Sequence, residues 1–246
     1  MKKLLFLFLT AVATTVFGMS YAPAAAPDDD GFVDIFDGKT LDGWDGNKAI
    51  WSVEDGCITG TTGDSGDNHL TYNQFLIWRD GTADDFVLEF DIKLSKEGNS
   101  GMQIRSWEDP DPSKPYRVYG YQPDCDGMAK YSGIIYGENY RGILAERGTE
   151  SVIGDDHKPV VVKRFAKDED LKKTFKIEDW NHYQVTAQGY RIEQKVNDVL
   201  FSVLTDNDKE VRRRDGIIAI QVHVGPPMKV QLKNIKLKRL PMQDEK

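Results

Sequence analysis

The chain has 246 residues, 39% of them hydrophobic, and a formal net charge of −8. That is enough for one β-rich unit or two small ones with a proper core, and the acidic balance argues against nucleic acid as a partner. Only Cys57 and Cys125 occur, too few for a disulfide framework; a single bridge and two lone thiols both fit.

The first element is a leader. Lys2 and Lys3 precede an apolar run from Leu4 to about Phe17, and small residues follow at Ala22, Ala24, Ala25 and Ala26. This is the pattern of a secretory signal peptide, and the run is short for a membrane span. Ala22 and Ala24 suit the −3 and −1 positions, so residues 1–24 are the expected signal peptide and Ala25 the mature start. No Cys lies near the site for lipid attachment; a retained N-terminal anchor is the alternative. The mature protein is then expected to be periplasmic or secreted, with no membrane anchor. Losing Lys2 and Lys3 takes the charge from −8 to −10. Residues 25–31, with Asp28, Asp29 and Asp30, read as a flexible leader, and 32–241 as a single folded domain.

Strand periodicity dominates the rest. FVLEFDIKL (86–94) puts Phe86, Leu88, Phe90, Ile92 and Leu94 on one face and Val87, Glu89, Asp91 and Lys93 on the other, a period of two over the whole segment. Gly98-Asn99-Ser100-Gly101 reads as a tight hairpin turn. GMQIRS (101–106) then sets Met102 and Ile104 against Gln103 and Arg105. HYQVTAQGYRIEQKVND (182–198) reads as two strands around Gln188-Gly189, with Asn197-Asp198 turning into VLFSVL. GIIAIQVHV (216–224) opposes Ile218, Ile220, Val222 and Val224 to Ile217, Ala219, Gln221 and His223. VQLKNIKLKRL (230–240) closes the pattern with a bulge expected near Asn234. Only KDEDLKKTF (167–175) suggests a helix, one or two solvated turns. Many short strands with frequent turns predict an all-β, two-sheet antiparallel sandwich.

Polar residues recur on one strand face. Gln103 and Arg105 share one; Gln221 and His223 share another; Gln122 and Asp124 share a third. Gln and Arg in such positions suit a groove for a polar ligand better than a solvent face. Arg105 is a bidentate donor for a carboxylate or sugar oxygen, or else an ion-pair partner of Glu89 or Asp91. The stretch GYQPDCDGMAKYSGIIYGENYRGILAERG (120–148) adds Glu138 and Arg141 across Gly-rich turns, where backbone can approach a ligand closely. Tyr121, Tyr131, Tyr136 and Tyr140 offer flat apolar faces for sugar rings. Asp126, Glu146 and Arg147 read as solvated loop charges. No GxSxG, P-loop, dinucleotide fingerprint, EF-hand, CxxC or HExxH occurs, and no spacing demands a metal.

FVDIFDGKTLDGW, WSVEDGCITG, GNSGMQIRS, GYQPD, SGIIYGENYRGILAERG, DWNHYQVTAQGYRI and GIIAIQVHVGPPMKVQLKNIKLKRL together resemble the 3-keto-disaccharide hydrolase domain family, from about Phe32 to Leu240. The resemblance implies a concanavalin A-like jelly roll that cleaves glycosides already oxidised to a ketone at C3. Segment 151–176 is longer and more charged than the family pattern and would reshape one rim. A C3 ketone acidifies the C2 proton, so a base gives an enolate that expels the C1 substituent, and water then adds. Such a site needs a base and an acid and a stabiliser for the enolate oxygen. His223, Asp124 or Glu138 would serve as base or acid, and Arg105 and Arg141 as enolate stabilisers. Gln103, Gln122, Tyr136 and Gln221 would hold the sugar. A divalent metal ion is the alternative stabiliser. The expected partner is an oligosaccharide or glycoside substrate. A non-catalytic carbohydrate-binding module on the same fold is the rival reading. An ordinary endo-glycosidase ranks third, since Glu89 and Asp91 alternate suitably but no third acid follows.

Overall fold

The computed structural model describes residues 30–242. The expected signal peptide and most of the leader lie outside the described residues. Seventeen strands and one short helix follow: β1 (Val33–Asp34), β2 (Trp44–Asp45), β3 (Trp51–Glu54), β4 (Cys57–Thr61), β5 (Gln74–Trp78), β6 (Phe86–Leu94), β7 (Asn99–Glu108), β8 (Val118–Asp126), β9 (Ile135–Glu138), β10 (Gly142–Ala145), β11 (Thr149–Ile153), β12 (Pro159–Arg164), α1 (Asp168–Lys172), β13 (Asn181–Gln188), β14 (Arg191–Val196), β15 (Val199–Asp206), β16 (Ile217–Val222) and β17 (Lys229–Arg239). One sheet runs β12-β11-β15-β14-β13-β6-β17-β4-β3, with β1 also on β17. The other runs β10-β9-β8-β7-β16-β5-β2. Among these pairings β11 with β15 is parallel and the others are antiparallel. The two sheets make the predicted sandwich. Among the described residues no helix is long and apolar enough to cross a membrane.

The core follows the alternation. Phe86, Leu88, Phe90, Ile92 and Leu94 of β6 are buried while the residues between them are half-buried. They face Met102 and Ile104 of β7, Tyr121 and Cys125 of β8, and Ile218, Ile220 and Val222 of β16 in one apolar cluster. Phe90 stacks on Tyr183 of β13 at 5.2 Å between ring centroids, a pairing that adds to simple area burial. Asn197 and Asp198 both take positive φ in the β14–β15 turn, as a type I′ hairpin requires. The bulge in β17 falls at Asn234, with φ 52° and a register shift between Lys233 and Lys236.

The predicted hairpin at Gly98–Gly101 does not form. β6 and β7 belong to different sheets, and 95–98 carry the chain from one to the other, closed by Gly98 N–H donating to Ser95 O at 2.8 Å. Asn99, Ser100 and Gly101 are already strand. Cys57 and Cys125 are both buried and unpaired, on β4 and β8 in opposite sheets, so the bridge reading is set aside. The long 151–176 segment contains the β12 edge strand, exposed along its whole length, and α1.

Candidate functional site

On β8 the alternation that sends Tyr121 and Cys125 into the core sends Gln122 and Asp124 to the outer face of the seven-stranded sheet. On β16 the same rule places Gln221 there, and on β7 it places Gln103. These strands are neighbours, so residues far apart in sequence converge on one patch. β9, the 131–134 loop and the 139–143 turn wall it in. The result is a cleft of about 520 Å³ lined by Asn73, Asn99, Gln122, Asp124, Tyr131, Ile134, Tyr136, Gly137, Glu138, Asn139, Tyr140, Gly142, Ile143, Gln221 and His223. Six of the nine predicted catalytic and sugar-holding residues meet here, Gln122, Asp124, Tyr136, Glu138, Gln221 and His223, beside the predicted rings of Tyr131 and Tyr140.

The polar floor is a directed network. Ser106 Oγ lies 2.7 Å from Gln103 Oε1, and Gln103 Nε2 donates to Gln122 Oε1 at 2.6 Å. Gln122 Nε2 donates to Asp124 Oδ1 at 2.7 Å and to Gln221 Oε1 at 3.2 Å. Ser106, Gln103, Gln122, Gln221 and Asp124 are all buried. Gln221 Nε2, buried in the same cleft, makes no hydrogen bond of normal geometry within the protein, although the amide acts on the Glu138 carboxyl. Orphaned buried donors are rare and point to a missing partner.

Both acids are driven toward the neutral form. Burial pushes the Asp124 carboxyl well above the usual range; the Gln122 amide opposes this, and Asp126 and Glu138 add to it. Burial likewise raises Glu138, against the Asn73 amide, His223 and the Gln221 amide, as expected for carboxyls in low dielectric. Asn73 Nδ2 donates to Glu138 Oε1 at 2.8 Å while Asn73 Oδ1 accepts Val224 N–H at 2.9 Å. One amide therefore positions the acid and the backbone beside His223. His223 Nδ1 lies 2.5 Å from Val224 O. The neutral ring then keeps its hydrogen on Nδ1, leaving the Nε2 lone pair as a base.

A carboxylate and a guanidinium shape the rim from behind. Asp126 accepts backbone N–H from Met128, Lys130, Tyr131 and Ser132. Arg147 donates to the carbonyls of Ala129, Lys130 and Ser132 at 2.8, 2.9 and 2.6 Å. Both are buried, where solvated charges were expected; together they hold the loop that presents Tyr131.

Three predicted residues lie elsewhere. Arg105 does not reach the cleft. An extra residue in β7 shifts its register against both β8 and β16, and Arg105 sits in that bulge with φ 47°. A bulge re-aims the side chain and breaks the alternation. Its guanidinium donates to Asp84 O and to Gly189 O at 2.7 Å and pairs with Asp85 at 3.0 Å. It therefore ties β7 to the opposite sheet, with neither Glu89 nor Asp91 as partner. Arg141 is committed to Asp206 and to Asp208. It lies over the Tyr140 ring at 4.4 Å and supports a cleft residue from behind. Gln103 stands one hydrogen bond behind Gln122. No group of three or more His, Cys, Asp or Glu among the described residues is arranged to hold a metal ion, so the donor set does not fit the divalent ion weighed as the alternative stabiliser and no step is routed through one. Sequence reading missed Asn73, Ile134, Asn139 and Ile143, and took Asn99 for a turn residue. Asn73 precedes the apolar run of β5 and resembles any turn residue; its role depends on long-range partners.

Comparisons with known proteins agree with this picture. The profile of the 3-keto-alpha-glucoside-1,2-lyase-like domain matches residues 31–238. A 3-keto-disaccharide hydrolase of Bacteroides thetaiotaomicron is 39% identical over 80 residues, 30% of this chain and 27% of that protein. The chain thus aligns with about a quarter of that relative's length. A crystal structure of a Parabacteroides distasonis protein, classed provisionally as a glycosyl hydrolase, superposes with a TM-score of 0.55 at 17% identity, covering 89% of this chain and 100% of that one. A Bacillus subtilis carbohydrate-binding module superposes at 0.50 and 14% identity, covering 80% of this chain and 95% of that one. At such identities these structures share the jelly-roll sandwich.

Proposed function

Because the chain belongs to the 3-keto-alpha-glucoside-1,2-lyase-like family, we propose that it cleaves 3-keto glycosides in the Gln122–Asp124–Glu138–His223 cleft by elimination across C1 and C2, followed by hydration. The observation that carries this reading is the convergence of two carboxyls held toward neutrality, one imidazole with a free Nε2, and one buried donor without a partner. Buried carboxyls with raised pKa values cluster at catalytic sites, which favours this reading over a module that only binds sugar.

The steps balance. His223 Nε2 takes the C2 proton, and Glu138 beside it stabilises the imidazolium. Charge moves onto the C3 oxygen, which accepts the Gln221 Nε2–H; preorganised donors at a developing oxyanion are a large catalytic contribution. Collapse of the enolate forms C1=C2, restores the C3 ketone and breaks the C1–O bond. Asp124 gives its proton to the departing oxygen. Gln122 occupies Oδ1, so that proton sits on Oδ2. In hydration the ionised Asp124 takes a proton from water as oxygen bonds to C1, and His223 returns a proton to C2. Stopping after elimination gives a lyase; completing both halves gives a hydrolase, which is how the family description and the relative's name fit one site.

Incubating the purified protein with a 3-keto disaccharide and its unoxidised parent, each with and without chelator, tests the reading. Release only from the keto form supports it, and an unsaturated product shows which half dominates. Release from neither, with measurable sugar binding, overturns it in favour of a binding module. We also place the mature protein in the periplasm or outside the cell, on the strength of the Lys2–Ala24 pattern; fractionation with N-terminal sequencing starting at Ala25 is the expected result.

A further inference from the structure

We propose that Gln103 is a positioning residue: the chain Ser106–Gln103–Gln122–Gln221 is a polarity relay that decides whether the cleft presents an N–H or a C=O to the substrate oxygen. The inference rests on the proposed elimination at this cleft.

An amide side chain has one donor end and one acceptor end, and the two shapes are nearly the same. Nothing about the shape of Gln221 fixes which end faces the ligand; its neighbours must. Gln122 directs an N–H at Gln221 Oε1 at 3.2 Å, so Gln221 is held with its nitrogen turned away from Gln122, toward the Glu138 carboxyl it acts on but without a hydrogen bond of normal geometry. Gln122 is oriented in turn from both sides. Asp124 Oδ1 takes its second N–H at 2.7 Å, and Gln103 Nε2 caps its oxygen at 2.6 Å. Ser106 Oγ lies 2.7 Å from Gln103 Oε1 and 2.8 Å from Ile104 O, so its one hydrogen serves two acceptors. Gln103, fully buried, therefore has no direct contact with the cleft yet fixes, together with Asp124, the direction of the bonds ahead of it. Reversing one link places like ends together at the next, so the chain flips as a unit or not at all.

Replacing the donor at position 103 tests this. In Gln103→Glu a carboxylate faces Gln122 Oε1. Gln122 is then expected to turn its nitrogen toward 103, and Gln221 to turn its oxygen into the cleft. Two readouts follow. In amide NMR spectra of the free protein, the Gln221 side-chain NH₂ pair, assigned by its disappearance in Gln221→Met, should shift beyond its linewidth. With a 3-keto substrate, kcat should fall by about 100-fold while KM stays within about two-fold, because a donor used in the transition state is lost. A merely structural Gln103 would lower the melting temperature and leave kcat per folded molecule and the Gln221 signals unchanged, which overturns the proposal. A Gln221 shift without a fall in kcat also overturns the positioning role. If Gln103→Glu does not fold, Gln103→Met, which removes the donor at similar volume, should show the same two changes. If the wild-type protein turns over no 3-keto sugar, the elimination reading fails alone, and the Gln221 signals by themselves decide whether the relay exists.

Discussion

Gln122 on β8 lies across Gly101 on β7: a Cβ built on Gly101 would sit 2.5 Å from Gln122 Cγ and 2.8 Å from Pro123 O. Only a glycine lets Gln122 bridge β7 to reach Gln221 on β16. Gly101→Ala should therefore push Gln122 off its partners. Overpacking at a buried site costs about 1–3 kcal/mol, and turnover of a 3-keto substrate should drop about 100-fold. Chemical denaturation and steady-state kinetics measure the two effects; unchanged kcat in a folded variant would remove Gln122 from the mechanism.

Asp124→Asn separates stability from activity. Burial raises the Asp124 carboxyl, so the folded state resists its ionisation and loses stability as pH rises above the ordinary carboxylate range. The amide keeps the size and hydrogen bonding without that penalty. The variant should melt higher than wild type at pH 8, yet lose about 10²–10⁴-fold in kcat, the usual scale of general acid catalysis. A lower melting temperature with full activity would contradict both halves.

Asn73→Ala removes the tie between Glu138 and the Val224 N–H, 2.8 Å and 2.9 Å away. The Val224 N–H loses its side-chain partner and Glu138 keeps only Asn139 Nδ2 at 3.1 Å, a loss of about 1–3 kcal/mol. The loss of position at Glu138 and His223 should lower kcat/KM by about 10-fold or more. Kinetics with intact 3-keto substrate at a temperature well below melting checks it.

Arg105 offers the opposite contrast. It is 1% exposed and pairs with Asp85, which Arg214 also meets at 3.2 Å. Burial pulls its pKa down to about 10, against the pull of Asp85. Removing one partner of a buried pair costs about 3–5 kcal/mol. Arg105→Met should thus unfold more readily but retain kcat per folded molecule. Loss of kcat in a folded sample would return Arg105 to the site.

His182 on β13 pairs with Asp91 on β6 at 2.9 Å. The Asp91 hydrogen bond raises the His182 pKa, against partial burial. A raised folded pKa gives stability that is full below the unfolded histidine value and lost as pH rises through the folded one. Wild type should lose a fraction of 1 kcal/mol, about the value of a half-exposed pair, between about pH 6 and 8. His182→Asn should flatten that slope in melting curves across the same range.

Strand alternation is a local property, set by side chains pointing to opposite faces, and it made much of this molecule legible. The apolar face of β6 and the outward placement of Gln103, Gln122, Asp124 and Gln221 follow from it, while the turns at Gly189 and Asn197 and the bulge at Asn234 were marked by residues that tolerate positive φ. What alternation did not carry is the break in its period in β7, where no turn-type residue stands at the bulge. One extra residue in β7 turned Arg105 out of the polar face and into a pair with Asp85. No local signal marked that bulge, because it depends on the register of both neighbouring strands. Arg141 was diverted by Asp206 and Asp208, 65 and 67 residues away in sequence, and Asn73 gained its role from Glu138 and Val224, 65 and 151 residues away. The residue types of the site were thus a matter of sequence. Which of them converge, and which end of each amide faces the cleft, was decided by contacts between strands that only the tertiary structure brings side by side.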